Sequence, residues 1–286
     1  MSFDMENDFL YPSKVSHRIS ELTSASTSNE TKANVARWYA EMMIKEFLHE
    51  CFDDDSYKNE SLNNLINQLK GKVSNEIINS ILLIKDYGDR ASHYHPDKRV
   101  SAKQSQKAVE EALKLYELII LDIIKKKSLC DHPDRASLIS VLLPPMRVSI
   151  YSNLIDFESD FIDQNLLKKW CIACVKNRQA NKARNKLNQL LKKGVIDEHA
   201  HKERTHEIKT IKLKMDNDLL PIPTNRADFA RNLHDLLTNY ISEESKVENK
   251  DLIMVLISMA ENIEPSEMKH YKGMQVFPTE RAFKRD

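Results

Sequence analysis

From residue 29 onward, apolar side chains recur three and four positions apart. An α-helix meets that spacing, whereas a strand alternates its side chains at every second position. Ala36, Tyr39, Ala40, Met43 and Phe47 fall on one side of the first such stretch, and Val35, Trp38 and Met42 widen the stripe to the breadth of a core-facing helix. Thr27 and Glu30 stand ahead of it in the spacing of a capping box, and the acid run Asp53 to Asp55 closes it. Leu62, Leu65, Ile66 and Leu69 repeat the pattern up to Gly71, a residue suited to the left-handed turn past a helix end. Ser74 is placed to cap a third helix bearing Ile77, Ile78, Ile81, Leu82 and Ile84, with Gly88 placed to stop it. After a polar segment from Asp89 to Val100, Ser101 and Gln104 form a second capping box. A long helix follows with Val109, Ala112, Leu113, Tyr116, Ile119, Ile120 and Ile123 along one side, and Lys125 to Lys127 suit its negative end. Short links between amphipathic helices make antiparallel neighbours, so residues 29–127 predict a four-helix bundle.

The rest of the chain reads as helical too. Only four glycines occur in 286 residues, which starves β-hairpins of turn residues and suits helices joined by short polar links. The expected fold class is all-α. Residues 1–28 mix acids, Ser and Thr, with Phe9, Leu10, Tyr11 and Pro12 as a tether onto the body. Pro133, Pro144 and Pro145 punctuate residues 128–150, which therefore predict a linker between two units. In residues 151–286, Ile162, Leu166, Trp170 and Cys174 share one face, and Ala180, Ala183, Leu187, Leu190 and Leu191 share another that Gly194 closes. A lysine-rich helix with Ile208, Ile211 and Met215 runs to Pro221 and Pro223. Asn225 and Asp228 then open a helix with Phe229, Leu233, Leu236 and Leu237, and Leu252 to Ala260 forms the last.

Nothing approaches the run of 18 apolar residues that a membrane-spanning helix needs, and the acidic start lacks the order of a secretory signal. A cytoplasmic setting is the expectation, with the four cysteines as reduced thiols. Cys171 and Cys174 invite a zinc reading with His199, His201 or His206. No second close cysteine pair exists and both lie in an apolar helix beside Trp170, so core packing is the better reading and no metal or other cofactor is expected. Gly-rich phosphate loops, serine nucleophile elbows and kinase signatures are missing from the sequence, which excludes familiar NTPases more firmly than unfamiliar ones.

Net charge is zero, yet unevenly spread. From Lys168 to Lys214 there are 14 Lys and Arg against four Asp and Glu, and a local field of one sign draws anions whatever the total. Lys168, Lys169, Lys176, Arg178, Lys182, Arg184, Lys186, Lys192 and Lys193 occupy two successive helices whose apolar stripes face inward. They are the candidate nucleic-acid contacts, of the phosphate-binding kind that gives affinity without sequence choice. Few aromatics interleave them, so base stacking is not indicated.

The most informative segment is Lys85, Asp86, Tyr87, Gly88, Asp89, Arg90, Ala91, Ser92, His93, Tyr94, His95. It puts a fixed cation, two imidazoles and carboxylates at the junction of two helices. Metal-free RNA cleavage needs a base for the 2′-hydroxyl, an acid for the leaving oxygen and a cation for the charge building on phosphorus. Histidine titrates in the range for the first two, and arginine can grip two phosphate oxygens. On a continuing helix Arg90 and His93 would share a face, while Pro96 biases His95 to extended backbone. The bland alternative is that Gly88 caps a helix and the histidines bond neighbouring backbone.

The four-helix layout, with Arg90 and His95 near the junction of the third and fourth helices, resembles the HEPN superfamily of higher eukaryote and prokaryote nucleotide-binding domains. The stretch from Gly88 to His93 also looks like the Gly-Asn-x-Ala-Ala-His signature of a bacterial branch of that superfamily. The likeness covers about residues 29–127. It implies a metal-independent endoribonuclease acting as a homodimer in anti-phage defence or toxin–antitoxin systems, with RNA as partner and a further protein in the complex. Arg90 would hold the scissile phosphate, and His95 or His93 would move protons. Ala91 stands where the family often has a polar residue, and the branch signature centres on His93 with Lys85 where its upstream arginine falls. A non-catalytic helical adaptor in a larger complex is the reading from a different class.

Overall fold

The computed structural model describes residues 10–93, 99–126, 133–157, 163–220 and 222–263. They are helical, with no strand among them beyond one isolated bridge between Lys70 and Val73. The order is α1 (Ser16–Thr23), α2 (Asn29–Phe47), α3 (Leu62–Leu69), α4 (Asn75–Ser92), α5 (Ala102–Lys126), α6 (Pro133–Ser140), α7 (Pro144–Phe157), α8 (Gln164–Lys176), α9 (Ala180–Lys192), α10 (Glu198–Asp216), α11 (Arg226–Asn239), α12 (Glu243–Glu248) and α13 (Lys250–Ala260).

Local chemistry sets most of these boundaries. Ser74 and Asn225 cap α4 and α11 by accepting from the Ile77 and Asp228 amides. At α5 the box is reciprocal: Gln104 N–H donates to Ser101 Oγ at 3.3 Å, and Ser101 N–H to Gln104 Oε1 at 3.0 Å, so each satisfies an amide the helix cannot. Gly71 and Gly194 take φ of +78° and +71° past α3 and α9. The cap of α2 is Ser28, one residue after Thr27, and it accepts from the Thr31 amide at 3.1 Å.

Helices α2, α4 and α5 pack against one another most extensively, with α1 along α2 and α3 against α4. Tyr39, Met43, Ile77, Ile84, Ala112, Tyr116 and Ile119 lie in their shared interior, as the apolar spacing required. One expectation fails: Gly88 does not stop its helix, and α4 continues to Ser92. The glycine is there because α2 passes over it. A Cβ at position 88 would lie 2.5 Å from Arg37 Cβ, so the absent side chain is what lets the two helices approach.

The expected linker at 128–150 is corrected as well. Residues 133–140 and 144–157 are α6 and α7, with Leu138, Ile139, Leu142, Leu143 and Met146 buried. Pro133 and Pro144 begin these helices, where a missing amide hydrogen costs nothing. A single hydrophobic core consequently runs from Leu10 through the α2–α4–α5 group to α7, α8 and α13. Arg135, wholly buried, ties α6 into it: Nε donates to Asn249 at 2.8 Å, Nη1 to the Ile123 carbonyl at 3.2 Å, and Nη2 to Asp251 at 3.3 Å. The amino-terminal tether docks through buried Leu10 and Tyr11, whose ring lies 3.7 Å beneath the Arg226 guanidinium. Within residues 1–28, Ser16–Thr23 is helical and buries Ile19 and Leu22. Among the described residues no helix is long and apolar enough to cross a membrane.

The contact at Gly88 yields a direct expectation. Gly88→Ala should destabilise the protein by about 1–3 kcal/mol, the usual cost of overpacking, lowering its urea midpoint. Ala is the better helix former, so an unchanged or raised midpoint would show that α2 and α4 are not held this closely.

Candidate functional site

The carboxyl end of α4 lies on the surface. Arg90 reaches back one turn to Asp86, with Nη2–Oδ2 at 2.7 Å and Nε–Oδ1 at 3.2 Å, and its guanidinium lies 5.7 Å from the centre of the Tyr87 ring. His93 caps the helix: its amide donates to the Asp89 carbonyl at 3.2 Å while its backbone turns extended. Its ring is exposed. Because His93 has left helical geometry, three-residue spacing no longer aligns it with Arg90, and no hydrogen bond or ion pair joins the two. His95 lies outside the described residues.

Beneath this pair is an arrangement that sequence spacing did not reveal. The Asp89 carboxylate accepts from Lys85 Nζ at 2.6 Å and forms an ion pair with Arg37 Nε, from α2, at 2.9 Å, without hydrogen-bond alignment. Ser92 Oγ is 2.5 Å from Asn34 Oδ1, also on α2. Arg37 and Asn34 stand more than 50 positions before Asp89 and Ser92, the residues they meet, and only the packing of α2 on α4 makes them part of the segment. Three cations thus meet two carboxylates, leaving the patch one charge positive. The Arg90–Asp86 pair is 36% and 52% exposed, and surface pairs of this kind contribute about 0–1 kcal/mol. Arg90 can therefore exchange Asp86 for a phosphate at small cost.

The predicted nucleic-acid residues do not form one outward face. Arg178, Lys182, Lys192 and Lys193 are exposed, with Arg184 and Lys186 half-exposed on α9. Lys168 is instead paired with Glu207 of α10 at 2.9 Å. Lys169 and Lys176 are half-buried along the seam where α8 packs on α7. The reason is the width of the apolar stripe: α8 packs against α7, α9 and α10, which leaves it little free perimeter. Burial, followed by repulsion from Lys168 and Arg147, lowers the Lys169 amine, and burial with Arg147 and Lys169 brings Lys176 down to about 8. Arg147 of α7 falls in the stretch expected as a linker, yet it is 4% exposed. Its Nη1 donates to the Ser140 carbonyl at 3.2 Å, while Nε and Nη2 are buried without a partner among the described residues. Each unmatched buried donor costs about 1–3 kcal/mol.

Cys171 and Cys174 are buried in the α8 core. Burial raises their thiols to about 12 and about 11, which opposes the thiolate that zinc requires. His201 Nε2 is 2.8 Å from Asn188 Oδ1, and no group of three or more metal-ligating side chains occurs among the described residues. No family model, characterised protein or solved structure matches the chain. What the molecule does must therefore be argued from its own residues.

Two measurements follow. Cys171 and Cys174 should resist a thiol reagent at pH 8 in the folded protein and react once it is unfolded, and fast labelling of both in the native state would contradict their burial. For Lys176, a folded value of about 8 against an ordinary 10.5 means that the unfolded chain holds the proton more tightly between those limits. The cost to stability is then full below pH 8 and fades as pH rises to 10.5. Lys176→Met should accordingly stabilise the protein more at pH 7 than at pH 10 in urea unfolding. An equal gain at both would overturn the assignment.

Proposed function

We propose that this chain is a HEPN-like protein that binds RNA and cleaves it without a metal, acting as a homodimer. Arg90 holds the scissile phosphate, and His93 or His95 supplies the proton transfers. The observation that carries this reading is the exposed end of α4. A weakly held guanidinium and an open imidazole occur there within four residues, on a patch of net positive charge backed by Arg37 and Lys85. One arginine and one or two histidines per subunit make a sparse set, and a twofold interface at this end would double it. The exposed cations Arg178, Lys182, Lys192 and Lys193 would guide the polyanion. By the same resemblance, an anti-phage or toxin–antitoxin setting with a partner protein is the context in which such an activity would serve.

A second reading has its own observation. Asp86 and Asp89 already neutralise most of the local positive charge, and no hydrogen bond or ion pair joins Arg90 to His93, as suits a non-catalytic adaptor whose helices dock a partner. The two readings part in one assay. Purified protein is incubated with total RNA in excess chelator, beside Arg90→Ala, His93→Ala and His95→Ala. A ribonuclease should lose about two to four powers of ten in rate with Arg90→Ala and with at least one histidine variant. Cleavage that survives all three substitutions places the activity elsewhere, and no cleavage by the wild type leaves the adaptor.

A further inference from the structure

The seam between α7 and α8 holds a second concentration of positive charge, distinct from the α4 end. Arg147 lies deepest in it, buried, with Nε and Nη2 unmatched among the described residues. Lys169 and Lys176 stand seven residues apart on α8, and so on one face of it. Helix α7, which carries Arg147, packs along α8, and the charge of Arg147 lowers both lysine amines, as that of Lys169 does for Lys176. They are half-buried, which makes them the rim. Two acids of the neighbouring elements are engaged elsewhere. Glu207 of α10 takes Lys168 at 2.9 Å and Arg204 at 2.8 Å. Glu117 of α5 bonds Ser149, two residues past Arg147 and on another side of α7. Tyr151, one turn along from Arg147, offers a neutral phenol whose ionisation burial pushes up. Three cations thus share one site without a carboxylate among the described residues, an arrangement that repels itself and leaves buried donors empty.

We propose that Arg147, Lys169 and Lys176 form a phosphate-binding site, the guanidinium holding two oxygens from below and the two ammonium groups closing on the remaining charge. A phosphate suits this set better than a carboxylate. Arginine's planar fork matches paired oxygens, lysines act as point charges, and a dianion balances more of three cations than a monoanion does. The phosphate group of a polynucleotide and free inorganic phosphate offer the same chemistry. The site stands independently of RNA cleavage at α4, since it shares no residue with it.

Thermal unfolding of the full chain with sodium phosphate, against sodium chloride at equal ionic strength, tests the proposal. Phosphate should raise the midpoint by several degrees. Arg147→Met should fold with an equal or higher midpoint, having lost an unmatched buried cation, and should lose the phosphate response. Lys176→Gln, at the rim and so safer for folding, should weaken that response, while Lys168→Met should retain it. In a parallel arm a short oligouridylate replaces phosphate. A shift that depends on Arg147 at lower concentration assigns the site to RNA, and a shift with phosphate alone assigns it to a free anion. No response to either probe, or a response that Arg147→Met and Lys176→Gln leave intact, overturns the proposal.

Discussion

A guanidinium with no exposure to water has to be met on every side, and Arg135 is the place where this chain depends on that rule. Its contacts reach α5 through a backbone carbonyl and α13 through Asn249 and Asp251. Asn249 is in turn fixed by donating to the Ser245 carbonyl at 2.8 Å. Removing one partner of such a group commonly costs about 3–5 kcal/mol because a charge is left stranded, so α6 has little freedom to leave. With α6 fixed, α7 and α8 follow. What composition and proline spacing suggest as two units becomes one body with one core.

That unity bears on function. The α4 end and the α7–α8 seam carry positive charge under opposite conditions. At α4 every cation has a carboxylate within reach, and the Arg90–Asp86 pair is open to water, so it exchanges readily. At the seam Arg147 is buried and, among the described residues, the three cations meet no carboxylate and two donors of Arg147 are unmatched. The first arrangement suits transient handling of a phosphate during a reaction. The second suits retention of an anion, because the energy given up by leaving donors empty is regained when they are filled.

Much of the helical layout was legible because it rests on near neighbours. The Ser101–Gln104 box, the Ser74 and Asn225 caps, the left-handed turns at Gly71 and Gly194, and the buried stripes of α2, α4 and α5 all involve residues a few positions apart. Gly88 was misread for the converse reason. Its local meaning is a helix stop, and its actual role is to admit Arg37 from another helix, which no spacing along the chain encodes. The prolines at 133, 144 and 145 were misread similarly, since a residue that ends one helix serves equally well to begin the next.

The sequence by itself determined that the chain is helical, where many of the helices start, and that arginine and histidine gather near the end of α4. It could do so because hydrogen-bonded caps and amphipathic periods act over one or two turns. Tertiary structure alone decided which charges are free. It set Arg37 against Asp89, committed Lys168 to Glu207, and buried Arg147 beside Lys169 and Lys176. The energy of a charge depends on its solvent and its neighbours in space, and neither is fixed until distant helices meet.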